Sequence, residues 1–379
     1  MYELMIPGPT EVPESVLAAR AKRALSPVPS QDASFLEFYR ETAARITRYA
    51  NGDPAVYETV ILSGEAMLAL EACIASLTED GDLVLILDNG VFGAGFADLV
   101  KMYGGTPVVY NLDWRRPISA IALGIYLQSN HRFKYATLVH CDTPSGMLNP
   151  LSEICMQLKR FDIPVVVDAV ASLFGERVDL PAGIDFLCGG TQKALSAPAG
   201  LSFVTVSPMG KTALMARKTP VVGSYTDLNR YLGYYERRGF PYTMPVHDIQ
   251  GLAAALDVVE ADTERLERHT YIGLACRAAV EKAGLELYPQ NGYASTVTAI
   301  CAPEGIAVSQ IIEKMRDEHG ILLADSLSDL HGKVFRIGHM GENCNKERVA
   351  KTLGALATVL TELGVSLETD MAEVFLRRC

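Results

Sequence analysis

The sequence predicts an α/β protein with a large domain, built on a mostly parallel seven-stranded sheet, and a smaller C-terminal α/β domain. Two observations predict this fold. Short apolar runs alternate with helical patterns between residues 59 and 206, as in the strand–helix–strand units that build parallel sheets. The runs are also continuously apolar rather than alternating, which is expected of strands buried on both faces.

The seven candidate strands cover residues 59–63, 83–88, 107–110, 136–140, 164–168, 184–188 and 201–206. Helical patterns lie between several of them, at 64–79, 91–104 and 150–161. In open sheets of this kind, ligands bind beyond the carboxyl ends of the strands. The residues that directly follow each strand are therefore the first place to look for chemistry.

A long helical pattern over 246–284 follows the large domain. Beyond it, candidate strands near 295–301 and 333–338 and helices near 307–319 and 346–364 form a second α/β unit. The expected division is an N-terminal segment (1–14), a large domain (15–245), a long linking helix (246–284) and a small domain (285–379).

Composition excludes several classes of protein. A formal net charge of −11 argues against a nucleic-acid-binding surface, which needs a concentrated basic face. No apolar run is long enough for a membrane span, and the first residues do not resemble a secretory signal, so we expect a cytoplasmic protein. The eight cysteines are scattered without a C-x-x-C pair, which indicates neither a disulfide framework nor a metal site.

Small and polar residues follow the first two strands. Ser63-Gly64-Glu65-Ala66 opens a helix, and a glycine turn at a helix N-terminus suits a phosphate, although a plain turn capped by Ser63 is the favoured explanation of this stretch taken alone. Phe92 lies between glycines in "NGVFGAGF", where an aromatic ring can stack on a planar ligand or belong to the core. A dinucleotide loop is not satisfied there, because Asp98 occupies the last glycine position.

The later strand ends carry stronger chemistry. Thr143 offers a hydroxyl, although its "DTPSG" context also suits a turn. Asp168 ends the apolar run "PVVVD", where a carboxylate is expected to be paired or functional, or else to cap a helix. Lys193 follows the next strand within "CGGTQKALSAPAG", 25 residues after Asp168, which is about one strand–helix–strand step. Both side chains are thus expected at one edge of the sheet.

Together these residues suit pyridoxal 5′-phosphate. A lysine amine condenses with its aldehyde, a buried carboxylate holds the proton of the ring nitrogen, an aromatic side chain stacks on the ring, and a helix N-terminus receives the phosphate. The motif "NGVFGAGF" suggests a nicotinamide oxidoreductase as an alternative. That hypothesis explains neither Asp168 nor Lys193.

The segments "IPGPTEVPESV", "DTPSGMLNP", "VVDAVASLFG", "GGTQKALSAPAGLSF" and "FRIGHMG" resemble class V aminotransferases of the alanine/serine–glyoxylate group, with 2-aminoethylphosphonate–pyruvate aminotransferases as close relatives. The resemblance extends from about residue 3 to residue 365. It implies the fold type I architecture of pyridoxal-phosphate enzymes and a homodimer with shared active sites. It also implies ping-pong transfer of an amino group from a small donor, such as alanine or serine, to glyoxylate or pyruvate.

Carried over by position, the resemblance makes Lys193 the lysine that binds the cofactor covalently and moves the proton, and Asp168 the partner of the ring nitrogen. Phe92 would stack on the ring and Thr143 would bond near its hydroxyl. Contacts to the phosphate are implied for Ser63, Gly64, Glu65, Ala66 and Gln192, and for Thr243 from the partner subunit. Gly8 would belong to an N-terminal loop that lines the substrate pocket. Arg336 would clamp a substrate carboxylate, unless it forms a surface ion pair.

Three positions and one segment depart from the family pattern. Glu65 places an anion where a phosphate is expected, so we expect its carboxylate to point away. Gly95 occupies a position where many relatives carry a basic residue, and Phe240 occupies one where they often carry a tyrosine that binds the phosphate. The segment 24–35 lacks the usual histidine–arginine pattern, which leaves the amino donor open. A desulfurase or lyase on the same fold is an alternative, with Cys344 as the one cysteine that looks exposed.

Overall fold

The computed structural model describes residues 2–23, 25–28 and 33–379, so residues 24 and 29–32 of the segment 24–35 lie outside the described residues. The strands in chain order are β1 (Glu3–Leu4), β2 (Glu58–Ser63), β3 (Leu83–Asp88), β4 (Thr106–Asn111), β5 (Tyr135–Val139), β6 (Cys141–Asp142), β7 (Met147–Leu148), β8 (Val165–Asp168), β9 (Phe186–Gly190), β10 (Leu201–Val206), β11 (Val297–Cys301), β12 (Ile321–Leu322), β13 (Ala324–Asp325) and β14 (Val334–Gly338).

The helices in chain order are α1 (Glu14–Arg20), α2 (Ser34–Tyr49), α3 (Ala66–Leu77), α4 (Val91–Met102), α5 (Ala120–Ser129), α6 (Leu151–Lys159), α7 (Pro208–Met215), α8 (Val246–Ala261), α9 (Arg265–Lys282), α10 (Val308–His319), α11 (Lys346–Glu362) and α12 (Met371–Arg378). Within the described ranges, none of these helices is both long enough and apolar enough to cross a membrane.

The large sheet has the strand order β2-β10-β9-β8-β5-β3-β4. Strand β10 is antiparallel to both of its neighbours, and the remaining pairs are parallel, which confirms the expected seven-stranded, mostly parallel sheet. Every residue of β5, β8, β9 and β10 is buried, which explains why these runs are continuously apolar. Because β5, β8 and β9 are parallel neighbours, the residues that follow them meet at one edge of the sheet.

The small domain contains the antiparallel sheet β11-β14-β13, which shares an apolar core with residues of α9, α10, α11 and α12. The N-terminal strand β1 pairs in parallel with β12, through Glu3 opposite Ile321 and Leu4 opposite Leu322. The chain then reaches the large domain, where the Thr10 N–H donates to the Gln192 carbonyl at 3.1 Å. Residues 5–10 are thereby held between the two units, beside Lys193.

The segment 246–284 differs from expectation, because it forms two helices rather than one. Helix α8 ends at Ala261, and α9 begins at Arg265. Between them, the Asp262 carboxylate accepts a 2.7 Å bond from Nη1 of Arg268 and forms a 3.6 Å ion pair with Arg265. Asp262 therefore bonds to the first turn of the new helix rather than continuing the old one.

Candidate active site

A cavity of about 150 Å³ lies at the carboxyl ends of β5, β8 and β9. Its walls bring together side chains from five separate stretches of the chain, as expected for a parallel sheet edge. The predicted residues that line it are Glu65, Ala66, Phe92, Thr143, Asp168, Gln192 and Lys193. Met67, Leu70, Cys141, Val170 and Ala171 complete the lining. The cavity therefore contains the predicted lysine, carboxylate, aromatic ring and hydroxyl together.

Lys193 lies half-buried where β9 leads into a tight, glycine-lined connection. Its Nζ donates to the Pro7 carbonyl at 2.5 Å. Gly8 comes so close that a Cβ on it would lie 2.8 Å from Nζ, and its φ of +97° is strained for residues with side chains. Burial, followed by the nearby positive charge of Arg336, lowers the pKa of Lys193 to about 8. Near neutral pH, a fraction of this amine is therefore uncharged and nucleophilic.

This lowered pKa predicts how the rate of covalent cofactor attachment depends on pH. Only the neutral amine attacks an aldehyde, so the rate should rise between pH 6 and pH 8 and level off above the pKa of about 8. Stopped-flow absorbance after mixing apoprotein with pyridoxal phosphate measures this rate. A rate that continues to rise past pH 10, as for an ordinary lysine, would contradict the assigned environment.

Asp168 is the last residue of β8 and is buried. Its Oδ1 accepts a 2.9 Å bond from the Val170 N–H. Burial raises the pKa of this carboxyl to about 6, and the bond from Val170 opposes the shift. Above that pH the cavity wall carries a buried negative charge with spare capacity to accept a hydrogen bond. That is the property needed to hold a protonated ring nitrogen.

Phe92 is held in place by Asp142, a residue that the sequence reasoning did not single out. The Phe92 N–H donates to Asp142 Oδ1 at 2.9 Å, at the start of α4. The other oxygen, Oδ2, accepts bonds from the Ser145 hydroxyl at 2.7 Å and from its N–H at 3.2 Å. Asp142 thus ties the turn that carries Thr143 to the helix that carries Phe92. The aspartate–serine spacing of three residues in "DTPSG" was the available signal.

The expected phosphate end is the N-terminus of α3. Its N-cap is Glu65 rather than Ser63, and no side chain caps the helix. Among the described residues, the N–H groups of Glu65, Ala66 and Met67 have no hydrogen-bond partner, which leaves donors for an anion. Ser63 and Gly64 lie just before this turn and do not line the cavity.

The orientation expected for Glu65 is wrong. Glu65 is exposed and belongs to the lining of the cavity, and its Oε2 accepts a 3.1 Å bond from Nε2 of Gln192, another lining residue. The expectation relied on repulsion from a bound phosphate. The spacing of residues in the sequence could not show that the side-chain amide of Gln192, 127 positions away, donates a hydrogen bond to this carboxylate.

Arg336 lies on β14 of the small domain and is only 6% exposed. Its Nε and Nη2 both donate to the Asp325 carbonyl, the former at 3.0 Å. Burial lowers the pKa of this guanidinium to about 10, and its charge in turn acts on Lys193. Arg336 is therefore a buried cation beside the cavity and does not form a surface ion pair.

Thr243 and Cys344, like Ser63 and Gly64, lie outside the lining of the cavity. Thr243 is exposed and does not line the cavity of its own chain. Cys344 was expected to be exposed, but it is buried at 4% exposure, and burial raises the pKa of its thiol to about 12. It therefore lacks the access and the thiolate character of a mobile nucleophile.

The residues present fit pyridoxal phosphate. The ring would lie among Asp168, Phe92, Thr143 and Lys193, and the unpartnered N–H groups that begin α3 suit a phosphate. Gly8 supplies the close backbone approach that leaves room beside Lys193.

Comparison with known proteins agrees with this geometry. The family described as aminotransferase class-V matches residues 4–323. An uncharacterized aminotransferase of Methanocaldococcus jannaschii is 34% identical, over 98% of this chain and 96% of that protein. Serine–glyoxylate aminotransferase of Arabidopsis thaliana is 30% identical, over 96% and 91%.

Among solved structures, pyridoxamine–pyruvate aminotransferase of Mesorhizobium loti superposes with a TM-score of 0.92. It is 27% identical and covers 99% of this chain and 96% of that one. The fold is thus that of fold type I pyridoxal-phosphate enzymes. The chain belongs to the class-V aminotransferase family and is an aminotransferase that depends on pyridoxal phosphate.

Proposed function

We propose that this enzyme transfers an amino group from a small amino donor, such as alanine or serine, to glyoxylate or pyruvate in a ping-pong reaction. The observation that carries the proposal is the position of Arg336, a buried guanidinium beside a lysine with a pKa of about 8. A planar cation suits the carboxylate that amino acids and 2-oxo acids share. Two of the relatives named above are a serine–glyoxylate and a pyridoxamine–pyruvate aminotransferase, which supports these acceptors.

In this proposal the catalytic residues are Lys193 and Asp168. Pyridoxal phosphate, when bound, supplies an electron-accepting ring that lets a proton leave the carbon bearing the amine. Lys193 Nζ takes and returns that proton, for which a pKa near the working pH is suited. Asp168 holds the proton on the ring nitrogen. Phe92 covers the ring and Thr143 bonds near its hydroxyl. The turn formed by Ser63, Gly64, Glu65 and Ala66 faces its phosphate, together with Gln192, which follows β9.

Arg336 is proposed to bind the substrate carboxylate, with the loop at Gly8 closing the other side of the pocket. Lysine at position 336 keeps the charge but loses the planar fork. We expect Arg336→Lys to raise the KM for both amino donor and oxo acid by about 10- to 100-fold, with a smaller effect on kcat. Steady-state kinetics with each substrate varied measures the change.

Arg316→Lys is the matched control, because Arg316 lies half-exposed on α10 of the same domain and pairs with Asp317. Unchanged KM values in Arg336→Lys would mean that another group binds the carboxylate.

The experiment that tests the proposed function is a half-reaction. The holoenzyme is mixed with each of alanine, serine and 2-aminoethylphosphonate, without acceptor, and the visible absorbance is followed. Bleaching by alanine or serine, reversed by glyoxylate or pyruvate, is the expected result. Bleaching by 2-aminoethylphosphonate alone would favour the alternative of a 2-aminoethylphosphonate–pyruvate aminotransferase. No bleaching by any donor would overturn the proposal.

A desulfurase or lyase is the second alternative, and the positions of the cysteines disfavour it. Cys344 is buried, and burial also raises the pKa of Cys141, the one cysteine in the described lining of the cavity. A thiol held in this way is a poor nucleophile. Release of sulfide from cysteine by the holoenzyme would reverse this judgement.

The proposal includes a homodimer, in which Thr243 reaches the partner's phosphate. Its exposure, and its absence from the cavity of its own chain, support this role. The proposed division of the chain is an N-terminal segment (1–14), whose Pro7 and Gly8 lie against Lys193, a large domain (15–245), a linking segment of two helices (246–284) and a small domain (285–379). Gel filtration with light scattering, combined with the cofactor content of each species, tests the dimer. Tight cofactor binding by a monomer would count against it.

A cytoplasmic location is the last part of the proposal. All eight cysteines are free thiols, which fits a reducing compartment. Fractionation of the source cells tests it.

A further inference from the structure

The end of the cavity that faces the α3 N-terminus has unusual charges for a phosphate site. Among the residues that line the cavity, Glu65 and Asp168 are acidic and Lys193 is basic. Glu65 lies close enough to contribute to the electrostatics of Lys193. Lys193 is already required for the aldehyde, so this chain adds a carboxylate, and no further cation, to the described lining at that end.

Gln192, the side-chain donor expected for the phosphate, already has an acceptor. Its Nε2 donates to Glu65 Oε2 at 3.1 Å, while its Oε1 is buried without a partner among the described residues. The backbone N–H of Thr10 bonds to the carbonyl of Gln192 and restrains the residue. A phosphate that takes this amide displaces the carboxylate from it, and a phosphate on the free N–H groups of α3 still lies beside that carboxylate, so it meets like-charge repulsion in either case.

A hydroxyl meets the same groups without that conflict. It donates one hydrogen bond and accepts others, so it can donate to Glu65 and accept from Gln192 or from a free N–H of α3. A neutral 5′-hydroxymethyl group on the pyridine ring would thus form hydrogen bonds with both Glu65 and Gln192. Replacing the phosphate by a hydroxyl does not change the contacts at the other end of the cavity, where Asp168 and Lys193 face the ring.

We propose that this site also accepts the ring without its phosphate, so that free pyridoxamine is an amino donor and free pyridoxal its product. This rests on the proposed function, because it uses the same lysine and the same acceptor. The exchange balances: the amine nitrogen moves from the pyridoxamine methylene to the carbon of the oxo group. The oxo oxygen leaves as water when the imine forms, and a water molecule supplies the oxygen of the new aldehyde when the second imine is hydrolysed. The vitamer loses two electrons, and the oxo acid gains them.

Equilibrium dialysis of the apoprotein against pyridoxal phosphate and against pyridoxal tests the proposal without any turnover. Both ligands carry the same aldehyde, so the ratio of their dissociation constants isolates the phosphate. We expect the two constants to agree within about tenfold in the wild type. Glu65→Gln, which keeps the shape and removes the charge, should strengthen pyridoxal phosphate binding by about tenfold and change pyridoxal binding much less.

Glu71→Gln is the matched control, because Glu71 lies on α3, bonds to the Tyr103 hydroxyl and does not line the cavity. It should leave the ratio unchanged. The wild type should also release pyridoxal when given pyridoxamine and pyruvate.

Wild-type binding of pyridoxal phosphate more than about 100-fold tighter than that of pyridoxal, with no response to Glu65→Gln, would overturn the proposal. A holoenzyme that is then still bleached by alanine or serine would retain the proposed function. Failure with every donor in both forms would remove the function itself.

Discussion

Lys193→Ala is expected to lower turnover by on the order of 10⁴-fold. The substitution removes the amine that attaches the cofactor and the base that moves the substrate proton. In the described cavity lining, Lys193 is the one side chain able to do both, because the other ionisable groups there are carboxylates and a buried thiol. Steady-state rates, with whichever donor and acceptor the half-reaction identifies, measure the loss.

Stability should change little in this variant, since Nζ makes one hydrogen bond, to the Pro7 carbonyl. Thermal unfolding checks that the protein remains folded. Lys101→Ala is the matched control, because Lys101 is exposed on α4 and pairs with Asp98. Turnover by Lys193→Ala within about tenfold of the wild type would assign the proton transfer to another group.

Most of the fold, and the centre of the site, could be predicted from the sequence for a physical reason. The strands are continuous apolar runs, and parallel strands place their carboxyl ends together, so a separation of 25 residues sufficed to bring Asp168 and Lys193 to one cavity. The break after α8 was also readable, since Asp262 and Thr263 favour helix starts.

Side-chain directions could not be predicted in the same way, because they depend on distant partners. The carboxylate of Glu65 bonds to Gln192, which lies 127 positions away, and Asp142 holds Phe92 across 50 positions. Cys344 is buried beside Arg268, whose Nε donates to the Cys344 carbonyl from 76 positions away. Composition and spacing describe which groups exist, whereas these contacts decide which atoms face the ligand.

Asp168→Asn is expected to lower kcat by about 10³-fold, with cofactor still attached to Lys193. Asparagine has nearly the same shape, and its oxygen can still accept the bond from the Val170 N–H. It is neutral, however, so it cannot stabilise a positive charge on the ring nitrogen, and the ring then withdraws electrons less effectively. Half-reaction rates measured by stopped-flow absorbance, together with the cofactor content, test this.

Comparison with Asp168→Ala separates this electrostatic role from a structural one. If Asp168 served only to bond Val170, the asparagine variant would approach the wild-type rate and only the alanine variant would fail. An electrostatic role instead predicts that both variants are slow, and that asparagine rescues stability without rescuing rate. Because burial raises the pKa of the carboxyl to about 6 in the cofactor-free protein, a protonated ring nitrogen should lower it in the holoenzyme. The wild-type rate should therefore fall only as the Lys193 amine, with a pKa of about 8, becomes protonated. A further loss of rate with a midpoint at pH 6 would show that the carboxylate does not hold that proton.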